Sequence, residues 1–150
     1  MAQFNTLPTE AQANLGMTHE MVVDYSDLTD TAGTTKTFTF TLPAGSLVLG
    51  GPHILETDFT DGAATMSSLV YIVGDGDTAD IYLSSTEVET TGTEVDYKVA
   101  TNTGIPHGKV YASADTLDVK FTATGANLST LTGGKLRYLF KLTNLAGLKN

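Results

Sequence analysis

Three histidines, a short run of aspartates and a few serines beside glycine are the residues here whose types could do chemistry. A zinc or iron site on a β-scaffold needs several convergent His or carboxylate ligands. His19, His53 and His107 lie far apart, and no HxH or HExxH spacing joins them. Cysteine is absent, which removes thiol nucleophiles, thiolate zinc sites, Fe–S clusters and disulfides together. A serine hydrolase elbow would read G-x-S-x-G; Ser46 follows Gly45 but lacks the second glycine. Carboxylate pairs for glycoside hydrolysis could come from the acidic middle of the chain. Sugar sites stack their ligands on exposed aromatics, above all Trp. Trp is absent, and the six Tyr and six Phe fall mostly on expected core faces. The expectation is a protein that is not an enzyme and carries no metal and no cofactor.

Asp75-Gly76-Asp77-Thr78-Ala79-Asp80 places three carboxylates in six residues. Calcium takes several oxygens from one flexible loop, so Asp75, Asp77 and Asp80 are its candidate ligands. The distal Glu and the ligand alternation of an EF-hand loop are missing. Asp that accepts from nearby backbone N–H groups, with Gly at positive φ, makes the same segment an ordinary tight turn. The turn is the expected reading.

Charge is segregated. From residue 37 to 97 there are ten acids and no Lys or Arg, whereas the last sixteen residues carry Lys135, Arg137, Lys141 and Lys149 and no acid. An acidic surface that keeps the chain soluble accounts for the first block. The basic end suggests docking on an acidic partner, or head-to-tail contact between subunits. Lys135, Arg137, Leu139 and Lys141 share one face of the last predicted strand and are the candidate capsid or subunit interface. The net charge of −9 argues against nucleic acid, whose phosphates demand surplus Lys and Arg. No apolar run of transmembrane length occurs and the N-terminus lacks a secretory pattern, so neither membrane nor export is expected.

The elements that must position these residues read as strands. Of 150 residues, 26 are Thr and 15 are Gly, a β-branched chain punctuated by turns. Residues 36–42 alternate Phe38, Phe40 and Leu42 against Thr37, Thr39 and Thr41, the period of a half-buried antiparallel strand. A Thr ladder of this kind would suit an ice-binding plane only if repeated, and it is not. Leu42-Pro43-Ala44-Gly45 fits a type I turn. The next strand, 46–49, meets Gly50-Gly51-Pro52, which predicts a bulge or an edge before it resumes at 53–59. Further strands are expected at 67–73 (covered on both faces), 80–83, 94–99, 109–112, 117–123 and 135–142. Eight principal strands without intervening helices predict one all-β domain: an antiparallel sandwich of jelly-roll type over 20–150, with 20–25 as an extra strand. Residues 1–19 are expected to form a mobile or extended N-terminal arm, with a short helix near 10–17 as an option.

Three stretches carry a resemblance. They are Phe40-Thr41-Leu42-Pro43-Ala44-Gly45-Ser46-Leu47-Val48-Leu49-Gly50 running on to Glu56-Thr57-Asp58-Phe59; Val73-Gly74-Asp75-Gly76-Asp77-Thr78-Ala79-Asp80 with Tyr82-Leu83-Ser84-Ser85-Thr86; and Leu117-Asp118-Val119-Lys120-Phe121-Thr122-Ala123-Thr124-Gly125-Ala126-Asn127-Leu128 followed by Thr132-Gly133-Gly134-Lys135-Leu136. In this order they resemble small structural proteins of tailed bacteriophages, similar to capsid decoration (cement) proteins with a jelly-roll fold, over roughly 22–142. Gly51-Pro52-His53 departs from the unbroken strand expected there. The resemblance implies no catalytic residue. It implies a homotrimer on the outer capsid surface of the virion, at threefold or quasi-threefold positions, bridging subunits of the major capsid protein. Deleting 1–19 is then expected to spare folding and weaken capsid binding. The alternatives are a head-fibre base, a tail adhesin domain or a non-catalytic carbohydrate-binding module.

Overall fold

Alternating side chains need two sheets that bury their inner faces against each other, and the computed structural model, which describes residues 2–88, 96–98 and 108–146, has that form. The strands are β1 (Gln3–Thr6), β2 (His19–Asp24), β3 (Thr35–Leu42), β4 (Ser46–Asp61), β5 (Ser68–Asp75), β6 (Leu83–Glu87), β7 (Asp96–Lys98), β8 (Lys109–Tyr111), β9 (Asp115–Thr124) and β10 (Leu131–Asn144). One sheet runs β1-β2-β10-β4, with β7 and β8 both paired to β4 beyond it; the other runs β3-β9-β5-β6. Every pairing is antiparallel. The protein is an all-β sandwich.

The core follows from the alternation. Met21, Val23, Leu55, Phe59, Leu136, Tyr138 and Phe140 from the first sheet meet Leu69, Tyr71, Val73, Leu117, Val119 and Phe121 from the second. Complete burial of one such side chain stabilises by about 1.5–3 kcal/mol, so the inner faces hold the sheets together. Phe59 of the first sheet joins the layers, its ring 6.0 Å from that of Phe121 in the second, and Tyr71 stacks on Phe121 within the second sheet at 5.5 Å, centroid to centroid.

Several expectations change in detail. The strand at 20–25 is not an extra element; β2 pairs along β10 inside the sheet, Met21 opposite Tyr138. Strand β5 is interior by pairing but buries only one face, with Val70 and Ile72 half-buried on the other. Residues 80–82 belong to a turn, and the strand expected there begins at Leu83. The expected strand at 94–99 is described only as β7, and His107 lies outside the described residues.

Gly50-Gly51-Pro52 does not divide β4. Gly50 pairs with Phe140 and His53 with Tyr138, so Gly51 and Pro52 together face Leu139 in a β-bulge. The proline's missing N–H falls where the ladder is already broken. A Cβ on Gly51 would sit 2.6 Å from the Leu139 carbonyl oxygen and 2.6 Å from Met17 Sδ, so only glycine fits.

That Met17 contact belongs to the N-terminal segment, which is neither frayed nor free. Strand β1 pairs with β2, Phe4 opposite Met21, and the Phe4 ring lies 5.3 Å from Phe40. A short helix α1 (Thr9–Leu15) follows Pro8 and ends at Gly16, whose positive φ of 67° turns the chain back. Leu7 is buried, and its N–H donates to the Thr18 carbonyl at 2.8 Å. Thr18 then grips β10: its Oγ1 accepts from the Leu142 N–H at 2.8 Å. A one-turn helix α2 (Tyr25–Leu28) continues from β2 under a capping box of Asp24 and Asp27 and buries Leu28.

Candidate functional site

The four residues expected at an interface sit on β10, and the structure treats them differently. Arg137 lies between two acids. Its Nε donates to Glu56 Oε1 at 2.9 Å, Nη2 is 2.9 Å from the same carboxylate, and Nη1 donates to Glu20. Lys135 Nζ is 3.0 Å from Glu56 Oε2. A register shift of β4 against β10 beside residue 56 sets Glu56 within reach of both cations. Partial burial pushes the Glu56 carboxyl up, but the hydrogen bonds from Lys135 and Arg137 outweigh it and hold it below the usual range. Burial likewise opposes the Arg137 charge, and Glu20 and Glu56 more than restore it. Two of the expected interface cations are therefore satisfied within the chain.

Leu139 is buried on the outer face of its strand. It faces outward with Arg137 and Lys141, yet only 2% of it is exposed. The Met17 thioether lies over neighbouring Gly51, beside the Leu139 backbone. Lys141 alone of the four stands exposed, opposite Leu49 of β4, with no acidic partner among the described residues.

The densest polar cluster lies at the end of the sandwich where β5, β8 and β9 meet. The Asp75 side chain has no exposed surface. Its Oδ2 accepts from Lys109 Nζ at 2.5 Å and from the Tyr111 hydroxyl at 2.8 Å. Its Oδ1 accepts from the Asp77 N–H at 3.0 Å and the Thr78 N–H at 2.7 Å. The Tyr82 hydroxyl lies 2.6 Å from that of Tyr111. Burial raises the Asp75 pKa, but Lys109, the Thr78 N–H, the Tyr111 hydroxyl and the Asp77 N–H prevail, and the carboxyl stays below its ordinary value. The ion pair holds Lys109 above its own. Tyr82, desolvated, rises to about 12 despite the hydrogen bond to Tyr111, with the charges of Asp75 and Asp115 adding to the rise.

Both Asp75 oxygens are taken by internal donors, and no group of three or more His, Cys, Asp or Glu among the described residues is placed to hold a metal. Asp77 and Asp80 stay exposed on the turn. The Asp75 N–H also donates to the Thr78 carbonyl at 2.9 Å, closing the turn on itself. The described histidines do not converge either. His19 Nδ1 lies 2.8 Å from Thr18 Oγ1 and its ring stacks 5.4 Å from Phe140. His53 is buried against Tyr71, ring centroids 5.7 Å apart. Beside the Asp75 cluster, Asp77, Lys109, Val110, Tyr111 and the turn at 112–115 enclose an open depression of about 340 Å³.

Sequence reasoning missed the Asp75–Lys109–Tyr111 cluster because its members come from different strands and no local spacing links them. No family model matches the chain, and no curated protein or solved structure matches it.

Proposed function

We propose that this protein is a non-catalytic structural component of a tailed-bacteriophage virion, a homotrimer that decorates the outer capsid surface and bridges subunits of the major capsid protein. The observation that carries the reading is where the polar side chains go. The polar clusters built by Asp75 and Arg137 are closed by partners inside the chain, while the outer faces of the sheets present short polar residues such as Thr37, Thr39 and Thr41. A cement protein needs that combination, a rigid block with a wettable exterior and no machinery of its own. Multivalent attachment then turns weak contacts to several coat subunits into firm retention.

The pairing pattern supports the jelly-roll part of the reading. From β2 onward the first strand pairs with the last, β3 with β9, β4 with β7 and β8, and β5 with β6, as in one long hairpin rolled into two sheets. The carbohydrate-binding alternative is weakened because the large apolar residues left exposed, among those described, are Leu15 and Val110, neither of them aromatic.

The test is binding of the recombinant protein to purified capsids stripped of their decoration, read by co-sedimentation. Saturable binding at a fixed ratio to coat protein supports the proposal. Failure to sediment with capsids, together with retention on a glycan array, contradicts it.

A further inference from the structure

Helix α1 is held to the sandwich at its two ends, and one of the two holds is a thioether. The helix has seven residues, buries none of them and has no side-chain cap at its N-terminus. A helix that short is marginal alone in water, so its form depends on how its ends are anchored. At the first end Leu7 is buried, and Gln12 Nε2 donates to the Leu7 carbonyl at 2.6 Å. At the other, Gly16 turns the chain and Met17 lies over the bulge of β4. Met17 Sδ and the Leu139 carbonyl oxygen each stand 2.6 Å from where a Gly51 Cβ would be. The sulfur thus takes the space that glycine leaves open. Among the described methionines Met21 is 0% and Met66 6% exposed, whereas Met17 is half-buried. Met17 is therefore the described methionine that a small oxidant in water meets first.

We propose that Met17 is a reversible oxidation site whose sulfoxide unfastens α1 from the sandwich. The oxidant is a peroxide. The thioether lone pair attacks one peroxide oxygen, and the O–O bond breaks as the S–O bond forms. The proton on the transferred oxygen passes to the departing hydroxide, giving water. Sulfur is oxidised by two electrons and the peroxide reduced by two. The product is a polar side chain whose new oxygen only accepts hydrogen bonds. The backbone around the sulfur offers it no donor: Leu139 presents its carbonyl oxygen, Gly51 its Cα, and Pro52 has no N–H. One acceptor set beside another is repelled and drawn to water, which lifts residue 17 off the bulge. Strand β1 stays in place through its own pairing with β2. Helix α1 loses its second anchor and melts, and the bulge at Gly51 and Pro52 is uncovered. The inference concerns the single chain in solution and does not depend on a capsid.

Limited hydrogen peroxide treatment of the purified full-length protein tests it. Peptide mass spectrometry places each added oxygen, and hydrogen exchange reads α1. Met17 is expected to gain an oxygen before Met21 and Met66 do. In the oxidised protein the amides of residues 9–16 are expected to exchange about tenfold faster, the scale set by losing part of one methionine's burial, while those of β2 and β10 keep their rates. Methionine sulfoxide reductases are expected to restore the slow exchange. Met17→Gln, polar without any oxidant, is expected to exchange fast from the start, and Met17→Leu to keep slow exchange after peroxide. Oxidation of Met21 or Met66 as fast as Met17 overturns the proposal. So does a Met17 sulfoxide with unchanged exchange at 9–16, or a Met17→Leu protein whose α1 is released by peroxide as in wild type. The peroxide arm on the wild-type chain decides the matter even where a variant folds poorly.

Discussion

Asp75→Ala is the substitution that this structure weights most heavily. Asp75 has no exposed side-chain surface, and its two oxygens receive four hydrogen bonds, one from an ammonium. Hydrogen bonds to a charged group contribute about 1.5–3 kcal/mol each, but a simple sum overcounts, because water reaches the Asp77 and Thr78 amides once the carboxylate is gone. Breaking a buried pair by deleting one partner costs about 3–5 kcal/mol, and that range is the expected loss. For a chain of this length each kcal/mol lowers Tm by about 2–4 °C, which predicts a fall of roughly 6–20 °C. Lys109→Met gives the graded comparison. The lysine is 27% exposed and Asp75 keeps three other donors, so solvent screening limits its loss to about 1–2 kcal/mol. Because Asp75 titrates below its unfolded value, its stabilisation is complete above about pH 4 and is lost as pH falls through the folded pKa. Urea titrations at pH 7 and pH 3, followed by circular dichroism, measure both effects. A loss below about 1 kcal/mol at pH 7 for Asp75→Ala would refute the account of the cluster.

Four further outcomes are expected. Arg137→Met, which breaks contacts to Glu20 and Glu56 at a half-buried site, should cost about 1–2 kcal/mol, and molar salt should narrow the difference in urea midpoint from wild type. Tyr71→Phe removes a buried hydroxyl that has no partner among the described residues, so it should leave Tm unchanged or raise stability by up to about 1 kcal/mol. His19 is held below 6.5 by burial, so the unfolded chain takes up its proton first and stability declines as pH falls below 6.5; His19→Gln should flatten that limb of the stability–pH curve. Deleting residues 1–17 removes buried Leu7, the Phe4–Phe40 contact and strand β1, and should cost about 3 kcal/mol in chemical denaturation.

What was legible in the sequence was local and periodic. Strand β3 follows from the alternation of Phe and Thr, and its partner β9 from the same pattern at Leu117, Val119 and Phe121. The two-sheet class follows from the number of such strands and the turns between them. The glycine–proline break in β4 was readable as a bulge, yet the unbroken run of sixteen residues was not, because a bulge and a strand end share one local signature. Leu139 shows the limit on the candidate interface. Alternation places it outward, as the structure does, yet only 2% of it is exposed, a burial that the strand's own pattern does not announce. Arg137 pairs with Glu20 across 117 positions, and Asp75 with Lys109 across 34, and no pattern within one sequence marks either. The Asp75 turn was recognised as a turn; that it anchors β8 through Lys109 and Tyr111 required the fold.

The measurement that bears most directly on the proposed role is the copy number of this protein relative to the major coat protein in purified virions, by quantitative mass spectrometry. Decoration of the whole lattice predicts a ratio approaching one copy per coat subunit. A few copies per hundred would place the protein at a tail or a special vertex, and absence from the particle would contradict the virion role altogether.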